Sequence, residues 1–172
     1  MPHIKTIDQA NKGKEMTGSE FETMVANAFD NEGIGYKWEK SMIKYGSKVG
    51  KGKCDFILDH VAIECKCIEH LNNLTLPGIN PKIHKPYVRP GIKTHQLKFL
   101  RHFKGTGGIF VCEWSTKTFY WLSIDDLTRF IISDISRRTL KGIEEHEISF
   151  SDFIRKVKLL NEKETESKTN DR

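Results

Sequence analysis

Apolar residues first recur at helical spacing in TGSEFETMVANAFDNEG, residues 17–33. Phe21, Met24, Val25, Ala28 and Phe29 share one face, with Thr17 or Ser19 as the cap and Gly33 as the stop. The pattern then changes period. IGYKWEKSMIKYG is rich in β-prone aromatics and predicts a strand near 34–44, and the Gly/Lys-rich residues 45–53 read as a mobile basic loop. CDFILDHVAIECKC alternates with a period of two and predicts a β-hairpin over 54–68. Four prolines follow, at 77, 81, 86 and 90, and exclude long regular structure there.

In IKTHQLKFLRHFKG, Ile92, Leu97, Leu100 and Phe103 fall on one helical face while Lys93, Lys98, Arg101 and Lys104 lie elsewhere, a basic amphipathic helix. GGIFVCEW and TFYWLSI read as strands joined by a Ser115-Thr116-Lys117 turn. DDLTRFIIS begins with acids suited to a helix N-terminus, and EEHEISFSDFIRKVKLL predicts a short strand leading into a final helix capped near Ser151. The order is helix, three strands, helix, two strands, helix. It predicts an α/β fold whose central mixed β-sheet is flanked by helices. One domain is expected over 17–160, with a flexible N-terminal arm at 1–16 and a disordered polar tail at 161–172.

Composition supports one folded unit. The 172 residues are 37% hydrophobic and 10% aromatic, enough for a core and against global disorder. Apolar runs such as Gly108–Cys112 fall far short of the roughly 20 residues a membrane helix needs, and the N-terminus lacks an apolar signal core. No membrane partner is expected, and the expected location is cytoplasmic, or host cytoplasm for a viral protein. Cysteines at 54, 65, 67 and 112 lack zinc-knuckle spacing and read as reduced core residues. The net charge is +5, and its distribution is uneven: residues 37–104 hold fourteen Lys or Arg against five Asp or Glu, or +9, leaving −4 elsewhere. A basic middle suits a polyanion, although a solvated Lys-rich surface has the same composition.

The hairpin carries the chemistry. With Asp59-His60 as a two-residue turn, Leu58 faces Val61, Phe56 faces Ile63 and Asp55 faces Glu64. Phe56, Leu58, Val61, Ile63, Cys65 and Cys67 then form one apolar face, and Asp55, Ile57, Ala62, Glu64 and Lys66 line the other. Opposed carboxylates about 5 Å apart repel each other. A divalent cation bridging Asp55 and Glu64 would compensate, and hard oxygen ligands suit Mg²⁺ or Mn²⁺. The simpler alternative is that Lys66 neutralises both acids in a surface cluster.

Asp55 followed by a hydrophobic strand and Glu64-Cys65-Lys66 resembles the PD-(D/E)xK nuclease superfamily. Gly18 and Glu22 are similar to the Gly-x-x-x-Glu helix start of Holliday junction resolvases. NNLTLP, IKTHQLKFLRHF, GGIFVCEW and FYWLSIDDL resemble the RecU-type resolvases, so the likeness covers about residues 17–128. Cys54 stands at the family's nominal Pro. The insertion that forms the RecU stalk is missing, and residues 77–91 form an extra segment after the motif.

The resemblance implies a restriction-endonuclease-like core and a metal-dependent, structure-selective endodeoxyribonuclease that resolves four-way DNA in recombination and repair. Two symmetric nicks imply a homodimer. Asp55, Glu64 and the Cys65 backbone carbonyl would hold Mg²⁺, with Mn²⁺ substituting and Glu22 acting directly or through water. Lys66 would orient the attacking water, and Gln96 would support the metal or contact phosphate. Glu20 is the rival to Glu22 for the helix acid. Lys37, Lys40, Lys44, Lys48, Lys51 and Lys53 before the motif, and Lys82, Lys85, Arg89, Lys93 and Lys98 after it, are candidates to neutralise DNA phosphates. A sequence-specific restriction-type endonuclease and a non-catalytic branched-DNA-binding protein are the alternatives.

Overall fold

The structure, a computed structural model, describes residues 15–39, 53–71, 74, 92–133 and 143–167. Helix α1 (Gly18–Asn31) is followed by strands β1 (Lys37–Trp38), β2 (Phe56–Ile57) and β3 (Val61–Ile68) and by helix α2 (Thr94–His102). Strands β4 (Thr106–Glu113) and β5 (Thr118–Ser123) come next, then helices α3 (Ile124–Ser133) and α4 (Phe150–Ser167). The five strands lie in chain order and are antiparallel except for the β3–β4 pair. The expected α/β architecture with a mixed sheet flanked by helices is present. No helix among the described residues is long and apolar enough to cross a membrane.

Local chemistry accounts for these elements. The Thr17 hydroxyl accepts from the Glu20 N–H at 3.2 Å and Glu20 Oε2 accepts from the Thr17 N–H at 2.8 Å, a capping box that starts α1. Gly33, at φ 64°, takes the left-handed conformation that ends it. Between β2 and β3 the Leu58 N–H donates to the Val61 carbonyl at 2.8 Å, closing the turn at Asp59-His60. The parallel β3–β4 pair needs a crossover, and α2 lies within it.

Both faces of the sheet are covered. On one, Phe21, Val25 and Phe29 of α1 and Phe153 and Val157 of α4 meet Phe56, Val61, Ile63, Cys65 and Phe110. Phe110 and Phe153 stack with ring planes 8° apart. Each such fully buried side chain contributes about 1.5–3 kcal/mol. On the other face, Leu97 and Leu100 of α2 and Leu127 of α3 cover Ala62, Ile109, Val111 and Leu122. The side of the hairpin that carries Asp55 and Glu64 is therefore also a core face, with Ile57 packed against it.

Three boundaries differ from expectation. Residues 143–146 form a 3-10 turn, and the strand expected before α4 is reduced to a single bridge between Glu147 and Tyr120. Ser149 rather than Ser151 caps α4, accepting from the Asp152 N–H at 3.1 Å. Helix α4 then runs to Ser167, into the expected polar tail, because its Glu- and Lys-rich sequence has high helix propensity. Within the expected N-terminal arm, Met16 packs on the core, its carbonyl accepting from the Cys67 thiol at 3.2 Å, and residues 1–14 lie outside the described residues. Of the strand expected near 34–44, the described residues contain Lys37–Trp38.

Gly107 shows how closely α2 is set on the sheet. A Cβ there would run into the Leu100 carbonyl oxygen, and backbone cannot swing aside as a side chain can. Gly107→Ala is expected to destabilise the fold by about 2–3 kcal/mol, within the range for overpacked cores. Urea melts check this; an unchanged midpoint would mean that α2 does not press on β4 as described.

Candidate active site

Strand β3 alternates its side chains, so Cys65 enters the core under α1 while Glu64 and Lys66 face α2. Glu64 is 1% exposed. Its Oε1 accepts from Lys66 Nζ and from Gln96 Nε2, both at 2.5 Å. Gln96 is fixed in turn, because its Oε1 accepts from the Lys93 N–H at 3.0 Å at the start of α2. With both ends of the amide used, its NH₂ points at Glu64. The other carboxylate oxygen, Glu64 Oε2, is buried and has no hydrogen-bond partner among the described residues.

Asp55 reaches the same place by leaving the ladder. The β2–β3 pairing ends at Phe56 opposite Ile63, so the expected Asp55–Glu64 pair is not formed as a ladder step. Instead the Asp55 N–H donates to the Ile63 carbonyl at 3.1 Å, setting Asp55 and Phe56 both against Ile63 as in a β-bulge. Asp55 Oδ2 then accepts from the Cys65 N–H at 2.7 Å. On its other side the Asp55 carbonyl accepts from the Glu39 N–H at 2.9 Å. The carboxylate is held by the Cys65 N–H, and the Asp55 backbone by Ile63 and Glu39.

Electrostatics follow from this confinement. Burial, and after it the Glu64 charge, pushes Asp55 up to about 7, against the stabilising Cys65 N–H. Glu64 is also raised, by burial first, with the Lys66 charge and hydrogen bond opposing. The Glu22 charge raises both acids. The site therefore holds excess negative charge and one unsatisfied buried oxygen.

Glu22 is distinguished from Glu20 by the helix cap. Glu20 is exposed and engaged by Thr17, whereas Glu22 is half-buried and its Oε2 accepts from the Trp38 indole Nε1–H at 3.3 Å. Helix α1 lies on the other face of the sheet from α2, yet the Glu22 charge is felt by both Asp55 and Glu64. Among the described residues no three His, Cys, Asp or Glu groups converge as a ready-made metal cage. The donor set nevertheless fits a hard cation that keeps much of its water. The Glu64 charge is close enough to raise Asp55, one buried oxygen lacks a donor among the described residues, and the Cys65 backbone next to Glu64 binds Asp55. The four cysteines are free thiols.

The basic candidates divide by position. Lys93 caps α2 close enough for its charge to favour ionised Glu64, and Lys98 is exposed on the same helix. Lys53 Nζ lies 5.6 Å from the Phe99 ring centroid, in cation–π range. Lys37 pairs with Glu39 at 2.9 Å. Lys40, Lys44, Lys48, Lys51, Lys82, Lys85 and Arg89 lie outside the described residues. The sequence pattern did not mark Trp38 as a partner of Glu22, since the contact joins a helix to an edge strand. No protein-family model matches the chain, and no curated protein matches it.

Proposed function

We propose that the chain is a divalent-metal-dependent endodeoxyribonuclease of the Holliday junction resolvase type, with a restriction-endonuclease-like core that acts on four-way DNA as a homodimer. The observation that carries this reading is the buried, unpartnered Glu64 Oε2 beside Asp55, with Lys66 on the same carboxylate. A purely structural ion pair has no use for two acids, one buried and one half-buried, against one amine. Asp55, Glu64 and the Cys65 carbonyl would hold Mg²⁺ or Mn²⁺, with Glu22 of α1 contributing directly or through water. When bound, such an ion lowers the pKa of its water and stabilises charge on phosphate oxygens.

The remaining roles belong to the chain. Lys66 orients the attacking water and adds positive charge beside the scissile phosphate. Gln96 holds Glu64 Oε1, which keeps the second oxygen of that carboxylate directed into the site. Lys93 and Lys98 on α2, with Lys53, supply phosphate contacts, which makes binding steeply salt-dependent. Attack in line leaves 5′-phosphate and 3′-hydroxyl ends.

Labelled four-way junctions and linear duplexes incubated with the full chain test this reading. Paired nicks in the junction are expected with Mg²⁺, in preference to linear duplex, and are lost in EDTA. Sequence-dependent cutting of linear duplex would favour a restriction-type enzyme instead. Absence of cleavage on every DNA with Mg²⁺ and Mn²⁺ would remove the enzymatic reading.

A further inference from the structure

In the proposed metal site, on which this inference rests, the helix acid Glu22 needs a group to orient it. We infer that Trp38 is the positioning residue for Glu22: its indole N–H fixes one carboxylate oxygen so that the other serves the divalent-cation site. The indole N–H is a donor only, so it supports an ionised carboxylate and takes no part in proton transfer. It lies 3.3 Å from Glu22 Oε2.

The ring itself is held firmly. Trp38 pairs with Phe56 in the β1–β2 ladder and stacks on it, with centroids 5.6 Å apart and planes 24° apart. Phe56 is fully buried and packs edge-on against Phe29 of α1. Trp38 is thus fastened to the start of β2, immediately after Asp55. The hydrogen bond ties α1 to that strand at the point where the Glu22 charge is felt by Asp55 and Glu64. Without it a glutamate on a helix surface samples several rotamers, and ordering it on metal binding would cost affinity.

Groups that orient metal-site acids typically contribute 10–100-fold to metal affinity. Mn²⁺ titration of the full chain, with free Mn²⁺ read by electron paramagnetic resonance, is the test. Conditions are chosen so that circular dichroism shows every variant folded. Trp38→Phe keeps the stacked ring and loses the donor, and is expected to weaken Mn²⁺ binding about 10-fold or more. In a Glu22→Gln background the same substitution is expected to add little, because the tryptophan acts through the carboxylate. Equal Mn²⁺ affinity in wild type and Trp38→Phe would overturn the inference alone, as would an undiminished Trp38→Phe effect in the Glu22→Gln background. Wild-type protein that binds no Mn²⁺ would overturn the metal reading and this inference with it.

Discussion

Glu64→Gln is expected to reduce Mg²⁺-dependent cleavage of four-way DNA by about 10³-fold or more, the scale on which removal of a key electrostatic group acts. The substitution is close to isosteric. The amide oxygen can still accept from Lys66 and Gln96, as Glu64 Oε1 does at 2.5 Å to each. The amide nitrogen takes the place of Oε2, the atom with no donor, and cannot bind a cation. Loss of cleavage should therefore occur in a folded protein, which circular dichroism and single-turnover kinetics together can establish. If Glu64→Gln cleaves junctions at close to the wild-type rate, the proposed site is wrong. Gln96→Ala offers a graded companion: it frees Glu64 Oε1 from one donor but leaves both acids, so a smaller loss is expected.

Much of this site was legible because the hairpin is governed by few rules. An even turn at Asp59-His60 leaves Phe56 opposite Ile63, and the structure has that pair. The next step was not legible, since alternation gives no sign of the bulge that sets both Asp55 and Phe56 against Ile63. Asp55 reaches Cys65 through that irregularity. For the helix acid, Thr17-Gly18-Ser19-Glu20 has capping-box spacing, and that signal assigns Glu20 to the cap. The Gln96 amide shows the same backward bond to the start of α2, a Gln three residues after Lys93. Its second bond, to Glu64, depends on how α2 crosses β3 and β4. The strand expected near Glu147 had suitable residues, but pairing there stops at a single bridge to Tyr120. Tertiary placement, which no local pattern encodes, decided each of these.

The second large effect concerns stability, and its sign follows from the raised acids. Asp55 titrates near 3.8 when unconstrained and is pushed up to about 7 in the fold, chiefly by burial and then by the Glu64 charge. Between those values the folded chain binds a proton that the unfolded chain has released, so stability falls as pH rises through this window. The metal-free protein should be less stable at pH 8 than at pH 5 through this group, by about 2–3 kcal/mol. Asp55→Asn keeps an acceptor for the Cys65 N–H and removes the charge. In EDTA at pH 8 it is expected to raise the thermal midpoint by about 5–10 °C. The gain should shrink as pH falls toward 4, where the wild-type carboxyl is already neutral. Millimolar Mg²⁺ should raise the wild-type midpoint at pH 8 by mass action and leave Asp55→Asn nearly unmoved. Thermal melts of both proteins across pH, with and without Mg²⁺, read all of these effects. A variant less stable than wild type at pH 8 in EDTA would show that Asp55 is a structural acid already satisfied by its neighbours. A charge destabilising to the bare fold and stabilising once cation is present is what separates a ligand from a surface ion pair.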